Sequence, residues 1–335
     1  MRIQRKLPAN FKSTDAPIFK FLAEIDLPLP SFKIYKRALL FKNGVLLNIS
    51  GVQKQSLLYN SRLKEIGGNL IVLKMLLSEV FNRQFKFIRS KQNVATVINE
   101  WSNNYFHWLT EVLPKVYFLK MQISSFSVLL PINYSASFQV DSLKILEIPI
   151  INFDGIVFLK NVYLPDRQAP YSAHYNPEIL KAMVGVIKAK VDCSYNLGPY
   201  IYVTRRNAGR RKLSNEEEVI KVLNKFSFKI VEFETLNFYQ QVSVASNAKV
   251  MVGSHGAGLT NIMFCEPGAC IYEFSLIGET MDKCYYTLAD ACDLNYYYQF
   301  CPSANNSNDY HFSDLTVDLE FFAKSLSGLV NAQND

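Results

Sequence analysis

The hydrophobic positions in the second half of the chain alternate between two spacings. Between residues 200 and 275, short continuous apolar runs are followed by longer segments in which apolar residues recur every three or four positions. The first spacing is typical of strands buried on both faces, and the second is typical of amphipathic helices. We therefore predict strands at 200–204, 228–233, 249–252 and 270–274, helices at 214–225 and 238–246, and a further helix between the last two strands.

Repeated strand–helix units predict a parallel, doubly wound sheet, which binds ligands at the carboxyl ends of its strands. Ser214, with Glu217 three residues later, forms a capping-box pattern, and we expect Ser214 to be the N-cap of the first helix. The N-terminal half shows a similar alternation, so the chain is predicted to be α/β. This half is expected to contain strands at 94–98, 126–130 and 155–159 and helices at 105–120 and 137–146.

Two local signals add detail to the N-terminal half. The turn-forming pair Asn43-Gly44 predicts a β-hairpin over residues 38–47. Pro114 lies inside a helical pattern, and we expect it to kink that helix.

The length of the chain indicates two domains. A chain of 335 residues, with 49% hydrophobic and 19% charged residues, suits two folded domains of ordinary size. Residues 165–177 are rich in turn formers and make the best candidate linker. We predict an N-terminal domain at 1–168, a C-terminal domain at 169–312, and a helix within 313–335 that packs back on the N-terminal domain.

Composition narrows the functional classes. No apolar run reaches the roughly 18 residues that span a bilayer, and no secretory apolar region follows the basic residues 1–6, so we expect a cytoplasmic protein. The six cysteines form no C-x-x-C pair, and the chain has no D-x-D motif, so no metal site is expected. The net charge of +7 is partly local to residues 205–212, which suits a small anionic ligand better than nucleic acid.

Residues 252–261, V-G-S-H-G-A-G-L-T-N, predict a strand that runs into a glycine-rich turn and then a helix. Gly253, Gly256 and Gly258 have no Cβ, so the backbone can approach a ligand closely. A helix that starts at such a turn presents N–H groups and a positive dipole end to a phosphate. His255 is the ionisable side chain of this loop. The glycine spacing differs from the dinucleotide pattern G-x-G-x-x-G, and a plain tight turn is the alternative interpretation.

Two more clusters follow strands of the same predicted sheet. Arg205 and Arg211 lie in a basic loop directly after the strand at 200–204. Their planar guanidinium groups suit a diphosphate, although a solvated basic loop is an equally simple interpretation. Glu273 lies in an otherwise apolar strand. It could accept hydrogen bonds from ribose hydroxyls or pair with a local lysine or arginine.

A third cluster lies in the N-terminal half. On the helix predicted at 105–120, His107 and Glu111 stand one turn apart on the same face. This arrangement suits a proton acceptor and the group that orients it. The alternative is that His107, which neighbours a tryptophan, is a hydrogen-bonded core residue.

Three segments together resemble glycosyltransferase family 61, also named DUF563. They are N-Y-F-H-W-L-T-E-V-L-P at 104–114, T-R-R…R-K-L-S-N-E-E-E-V at 204–219 and the glycine loop at 252–261, in the family's order, with similarity from roughly residue 94 to 275. The resemblance implies a GT-B architecture, in which two Rossmann-like doubly wound domains face a central cleft. It also implies an inverting, metal-independent transfer from a nucleotide sugar. Thr204 stands where serine is common in the family, and Glu111 stands where aspartate is common.

The resemblance implies roles for individual residues. The N-terminal domain would bind the acceptor, with His107 as the base and Glu111 orienting it, and the C-terminal domain would bind the donor. His255 is expected to bind donor phosphate or sugar and is a rival candidate for the base. No metal is expected, and the nucleotide sugar is a co-substrate. The expected donor-binding residues are Thr204, Arg205, Arg211, Asn215, Gly253, His255, Gly256, Ala257, Gly258, Asn261 and Glu273.

The leading hypothesis is a glycosyltransferase of bacterial surface-polysaccharide biosynthesis. Its expected partners are a nucleotide sugar and a glycan or lipid-linked acceptor, with peripheral contact at the inner face of an anionic membrane and no nucleic acid. One alternative is a catalytically silent nucleotide-sugar-binding protein. Another is a nucleotide-cofactor oxidoreductase, which the glycine spacing and the lack of a suitably placed acidic residue disfavour.

Overall fold

A computed structural model of the chain describes residues 1–57, 85–87, 93–167, 173–278, 283–305 and 312–332. The chain divides into two compact units, one formed by residues 1–27 and 173–335 and the other by residues 28–172. Each unit contains helices and sheet, which confirms the predicted α/β class. The predicted boundary at 168–169 lies outside the described residues. Among the helices of the described ranges, none is long and apolar enough to cross a membrane.

The first 27 residues belong to the C-terminal unit, although the sequence pattern had grouped them with the residues that follow. Ala9 donates its N–H to the carbonyl of Tyr296 at 2.8 Å, and Asn10 exchanges hydrogen bonds with the backbone of Tyr298. Phe19 is fully buried. These long-range contacts have no periodic signature in the sequence. The segment forms β1 (Arg2–Gln4), α1 (Ala16–Ala23) and β2 (Glu24–Asp26), with β1 antiparallel to β2.

The unit at residues 28–172 is built on a mixed sheet, not on a wholly parallel one. The strands run in the order β5-β4-β3-β10-β7-β8-β9, and β6 also pairs with β10. The β5-β4-β3-β10 part is antiparallel, while β10-β7-β8-β9 is parallel, so the doubly wound expectation holds only for one part of this sheet. The strands are β3 (Phe32–Leu40), β4 (Leu46–Asn48), β5 (Gly51–Val52), β6 (Phe85–Phe87), β7 (Val94–Ala95), β8 (Ser127–Pro131), β9 (Ile150–Phe153) and β10 (Ile156–Pro165).

The predicted hairpin is confirmed by the antiparallel pairing of β3 with β4. Gly44 at its turn has φ +85°, in the region that favours glycine. A Cβ at this position would also lie 2.4 Å from the Ile98 carbonyl oxygen, so the turn is packed against the segment after β7.

The helix that carries His107 contains a π-helical segment. In this segment Leu113 donates its N–H to the Trp108 carbonyl, five residues back. Pro114 has no N–H, and its ring would clash with the carbonyl of Thr110 in a regular helix, so the wider turn before it relieves this contact. The irregularity expected at Pro114 is therefore a π-helical segment, and the helix continues beyond it. The whole helix, α2, consists of Tyr105–His107, the π segment Trp108–Val112 and the α-helix Leu113–Gln122, and α3 follows at Ser137–Ile145.

The C-terminal sheet is fully parallel, with the order β12-β11-β13-β14-β15. This order reverses direction between β11 and β13, and in doubly wound sheets ligands bind outside the carboxyl ends of the strands at such a point. The strands are β11 (Tyr200–Val203), β12 (Lys229–Val231), β13 (Val250–Ser254), β14 (Cys270–Leu276) and β15 (Asn295–Cys301). The helices are α4 (Pro177–Lys190), α5 (Glu216–Asn224), α6 (Phe238–Ser246), α7 (Cys284–Ala291) and α8 (Leu319–Ala332).

Two expectations about this unit differ from the structure. The terminal helix α8 packs on its own unit's sheet, because Phe322 and Leu326 are fully buried in one cluster with Tyr272, whereas the sequence had suggested packing on the N-terminal domain. Ser214 is not the N-cap of α5, because Asn215 occupies that position and the Ser214 hydroxyl donates to the carbonyl of Leu315, in the segment before α8. The Ser214 hydroxyl therefore bonds to a distant part of the backbone and not to the predicted helix start.

Candidate active site

Strand register brings the three C-terminal sequence clusters to one edge of the sheet. Val203 on β11 pairs with Gly253 on β13, and Gly253 pairs with Glu273 on β14. The arginine loop leaves β11 just beyond Val203, and His255 follows β13. Parallel strands end at the same edge, so clusters far apart in sequence become neighbours. The structure thus confirms that the glycine loop, the arginine loop and Glu273 lie together.

The glycine loop is packed tightly against β11. A Cβ at Gly258 would lie 2.8 Å from a methyl carbon of Val203, and one at Gly253 would lie 3.2 Å from the Val203 Cβ. The helix that follows is a 3-10 helix, Ala257–Phe264, where an unspecified helix was predicted. The first N–H groups of such a helix have no acceptor within it, so residues such as Ala257 and Gly258 begin a segment suited to an anion.

Arg205 lies directly over Gly256. An ideal Cβ on Gly256 would be 1.8 Å from the Arg205 Nη1, so only glycine leaves space for this guanidinium. Nη2 of Arg205 donates to the carbonyl of Arg210 at 3.0 Å. Burial, and next the neighbouring charge of Arg211, lower the pKa of Arg205. Two cations are therefore held close together beside the glycine loop.

The two arginines also carry unsatisfied donors. Within the described part of the chain, the Nε atoms of Arg205 and Arg211 are buried and have no hydrogen-bond partner. Leaving a buried donor unpaired costs about 1–3 kcal/mol, and more for a charged group. Arg211 also has φ +58°, a left-handed conformation that is uncommon for a residue with a Cβ. Strain at positions of this kind often accompanies a binding function.

His255 is oriented by Glu273, and we call these two residues the sheet pair. His255 Nδ1 lies 2.6 Å from Glu273 Oε1, and the Tyr296 hydroxyl donates to Glu273 Oε2 at 2.6 Å. The Glu273 side chain is only 1% exposed. Both of its oxygens are engaged inside the protein, which differs from the expected hydrogen bonds to ribose and from pairing with lysine or arginine. A buried carboxylate that accepts from Nδ1–H fixes the ring orientation and the tautomer in which Nε2 is the acceptor nitrogen.

Residues of α7 surround the sheet pair. The Tyr285 hydroxyl donates to the Gly256 carbonyl at 2.5 Å, and its ring lies against His255 with centroids 5.0 Å apart. Cys284 Sγ lies 3.9 Å from His255 Nε2. Tyr285 therefore fixes the glycine loop and one side of the imidazole.

Three other predicted donor residues have structural partners. Thr204 donates to Glu216 at 2.6 Å and accepts from the N–H of Arg206, so it shapes the start of the arginine loop. The Asn215 side chain bonds to both the carbonyl and the N–H of Val317. Asn261 is fully buried and donates to the Gly258 carbonyl at 3.0 Å. The remaining members of the predicted donor set, Arg205, Arg211, Gly253, His255, Gly256, Ala257, Gly258 and Glu273, meet at the sheet edge.

The unit at residues 28–172 contains a second histidine–carboxylate pair, which we call the helix pair. His107 Nδ1 lies 2.9 Å from Glu111 Oε1, one helical turn away, and the side chains are 16% and 15% exposed. The predicted contact is thereby confirmed. The neighbouring Trp108 is fully buried and donates its indole N–H to Ser142 at 3.0 Å, which fixes this turn of α2 in the core.

Sequence reasoning missed two residues that bear on these pairs. Lys115 lies one turn after Glu111, and burial lowers its pKa to about 8, against a smaller opposing effect of Glu111. The spacing His107, Glu111, Lys115 was visible as a four-residue repeat on one helix face. Tyr296, which holds Glu273, comes from β15 and had no local signal beyond its place in an aromatic run. Within the described ranges, no three His, Cys, Asp or Glu side chains converge on a position that would suit a metal ion.

Comparisons with known proteins match part of the chain. The chain is similar to EGF domain-specific O-linked N-acetylglucosamine transferases: it is 35% identical to the Drosophila melanogaster enzyme over 98 residues, 28% of this chain and 18% of that protein. The Bos taurus enzyme is 29% identical over 101 residues, 29% of this chain and 19% of that protein. The matched segment is thus less than a fifth of these relatives' length.

The family comparison covers more of the chain. The model of the family described as Glycosyltransferase 61 matches residues 105–272, a range that begins at α2 and ends within β14. It includes the helix pair, the arginine loop and the glycine loop. The chain therefore belongs to glycosyltransferase family 61.

Proposed function

We propose that this enzyme catalyses an inverting, metal-independent transfer from a nucleotide sugar to a glycan or lipid-linked glycan of surface-polysaccharide biosynthesis. The observation that carries the donor assignment is the pair of buried, unpartnered Nε groups of Arg205 and Arg211 beside Gly256. A diphosphate offers the oxygens that these donors lack. The polysaccharide role rests on the family alone. The proposed GT-B class rests on the family and on the α/β character of each unit.

Catalysis at the donor site depends on charge. When the bond between the anomeric carbon and the phosphate oxygen breaks, negative charge accumulates on the departing nucleoside diphosphate. Preorganised donors at such a site stabilise the transition state by about 3–4 kcal/mol each in well-studied oxyanion sites. Arg205, Arg211 and the N–H groups at the start of the 3-10 helix fill this role. Their fixed positive charge supports a reaction that uses no metal ion.

The acceptor hydroxyl needs a base, and we assign this role to His107. Because Glu111 accepts from Nδ1, His107 Nε2 is the nitrogen that takes the acceptor proton while the acceptor oxygen attacks the anomeric carbon. Glu111 then stabilises the imidazolium. His255 binds the donor, since Glu273 and Tyr285 hold its ring beside the glycine loop.

The relatives suggest which sugar to test first. They are named for transfer of N-acetylglucosamine, so UDP-N-acetylglucosamine is the first donor candidate. Their names also make an EGF domain an acceptor worth comparing with glycans. We place the enzyme in the cytoplasm at an anionic membrane face, a proposal supported by the net charge of +7.

A nucleotide-sugar screen followed by product analysis tests the proposal. We expect one donor to raise the melting temperature, since ligand at about 100 times its Kd adds roughly 2.7 kcal/mol of stability. With that donor and a glycan acceptor, NMR should show a product of inverted anomeric configuration, at a rate that EDTA leaves unchanged. Arg205→Ala should abolish the shift. Donor binding without hydrolysis or transfer would identify a silent binder, and a retained configuration would contradict the inverting mechanism.

A further inference from the structure

Trp101 is an exposed aromatic side chain beside the helix pair. It is 50% exposed, whereas the other tryptophan of the chain, Trp108, is fully buried. The Trp101 ring lies against His107, with centroids 5.0 Å apart and the planes tilted by 48°. A half-exposed tryptophan leaves a large apolar area in water. This area lies directly beside the imidazole of His107, the proposed base.

The loop that presents Trp101, residues 99–104, is held in one shape by its own hydrogen bonds. The Trp101 N–H donates to the Asn99 side chain at 3.0 Å, and Asn99 and Ser102 exchange further bonds while both are buried. The carbonyl of Trp101 accepts from the N–H of Asn104 at 2.9 Å. Asn104 also caps the start of α2, because its side chain accepts from Phe106. The tryptophan is therefore placed by an ordered loop on a defined helix start.

We propose that Trp101 is the platform on which the acceptor sugar stacks. One face of a pyranose ring is made of C–H groups, which pack favourably on the electron-rich face of an aromatic ring. The rim of the same ring carries hydroxyls, one of which would then lie at His107 for deprotonation. This inference rests on the proposed transfer with His107 as base.

Glycoside binding can be measured by tryptophan fluorescence without any donor, because the chain has two tryptophans and Trp101 is the exposed one. The probes are methyl β-glucopyranoside, methyl β-galactopyranoside and methyl N-acetyl-β-glucosaminide. We expect at least one to shift the Trp101 emission saturably and to reduce its quenching by acrylamide. Trp101→Phe keeps an aromatic ring but removes the exposed emitter, so it should lose the optical signal. If no glycoside changes the emission of the wild-type protein, the platform assignment is wrong.

Kinetics test the same residue during transfer, with the most strongly bound glycoside as acceptor. Trp101→Ala should raise the acceptor KM about tenfold, equivalent to about 1.4 kcal/mol, with the donor KM and donor hydrolysis unchanged. Trp101→Phe should stay within about threefold of wild type because it keeps a stacking face. Ile132→Ala, which truncates another exposed apolar residue of this unit, is the control and should have no effect.

The outcomes separate this inference from the proposed function. An unchanged acceptor KM in Trp101→Ala, in an enzyme that transfers sugar, overturns the platform and leaves the transferase proposal intact. Saturable glycoside binding at Trp101 in an enzyme that transfers nothing overturns the transferase proposal instead.

Discussion

Each unit of this protein holds a histidine whose Nδ1 bonds to a carboxylate, but the two pairs are built in different ways. The helix pair joins residues four apart on α2, and both side chains are partly exposed. The sheet pair joins residues 18 apart, His255 directly after β13 and Glu273 on the neighbouring β14, and Glu273 is almost completely enclosed. The first pair follows from helix periodicity alone, while the second exists only because β13 and β14 are adjacent.

The difference in burial separates the chemistry that each pair suits. Both Glu273 oxygens are bound, so its charge serves to fix His255 in position. The contrast lies in the carboxylates, since Glu111 is 15% exposed, while His107 and His255 are similarly exposed at 16% and 13%. An orienting carboxylate that water reaches suits the proton transfer proposed for the helix pair, and an enclosed one suits the donor binding proposed for the sheet pair.

The largest expected effect is that of His107→Ala. Loss of a general base lowers rates by roughly 10²–10⁴-fold, so kcat should fall by that order while affinity for the nucleoside diphosphate stays unchanged. His255→Ala should weaken nucleotide binding. Steady-state transfer and calorimetric titration measure the two effects. Full activity of His107→Ala, with a rate lost in His255→Ala at unchanged nucleotide affinity, would reverse the assignment.

Gly256→Ala should raise the Kd for the nucleotide at least about tenfold, which corresponds to about 1.4 kcal/mol of binding free energy. The new Cβ would occupy the place of the Arg205 Nη1 and displace the guanidinium from the loop. Gly185→Ala is the matched control, because a Cβ there contacts nothing within 4 Å and lies within a helix. Equal affinity of the two variants for UDP would show that Arg205 does not depend on Gly256.

Removing the charge of each carboxylate should affect stability unequally. Both oxygens of Glu273 now accept hydrogen bonds, one from His255 and one from Tyr296. In Glu273→Gln one of these oxygens becomes an NH₂ group, which leaves a buried donor unsatisfied. We expect the free energy of unfolding to fall by about 2 kcal/mol, as for other unsatisfied buried groups. Glu111→Gln should cost less than about 1 kcal/mol, because water reaches its side chain. Denaturant unfolding of both variants measures the difference, and equal losses would contradict the contrast in burial.

A separate effect concerns pH and the anchoring of residues 1–27. Burial, and then the charge of Arg5, lower the pKa of His174 to about 4 from the ordinary 6.5. Between these values the unfolded chain binds a proton that the folded protein does not, so stability falls as pH drops from about 6.5 to about 4. Arg5 lies 3.2 Å from His174, and its Nε lies 3.9 Å from Asp290, whose own pKa is raised by burial.

His174→Asn should flatten the pH dependence over that window, as measured by denaturant unfolding at several pH values. His107→Asn, on the partly exposed helix pair, is the matched control. A slope that persists in His174→Asn would assign the dependence to other groups.

Sequence periodicity predicted strands β11 to β14 and helices α5 and α6, because their apolar spacing reflects local burial, but it did not predict α4, α7 or β15. The helix at residues 238–246 and the hairpin turn at Gly44 were predicted closely. Long-range contacts were the main source of error. Ser214 matches a capping box, but its hydroxyl donates to the Leu315 carbonyl. The Asn215 side chain, which was expected to bind the donor, forms two hydrogen bonds with the backbone of Val317.

By itself, the sequence determined the α/β class, the family motifs and the contact between His107 and Glu111, because residues four apart on a helix meet wherever that helix lies. The tertiary structure alone decided that Glu273 serves His255, that Arg205 covers Gly256 and that residues 1–27 belong to the C-terminal unit. These contacts join segments that are far apart along the chain, and their sequence separation does not tell how far apart they lie in the folded protein. Strand order and register, which arise from packing of the whole sheet, bring them together.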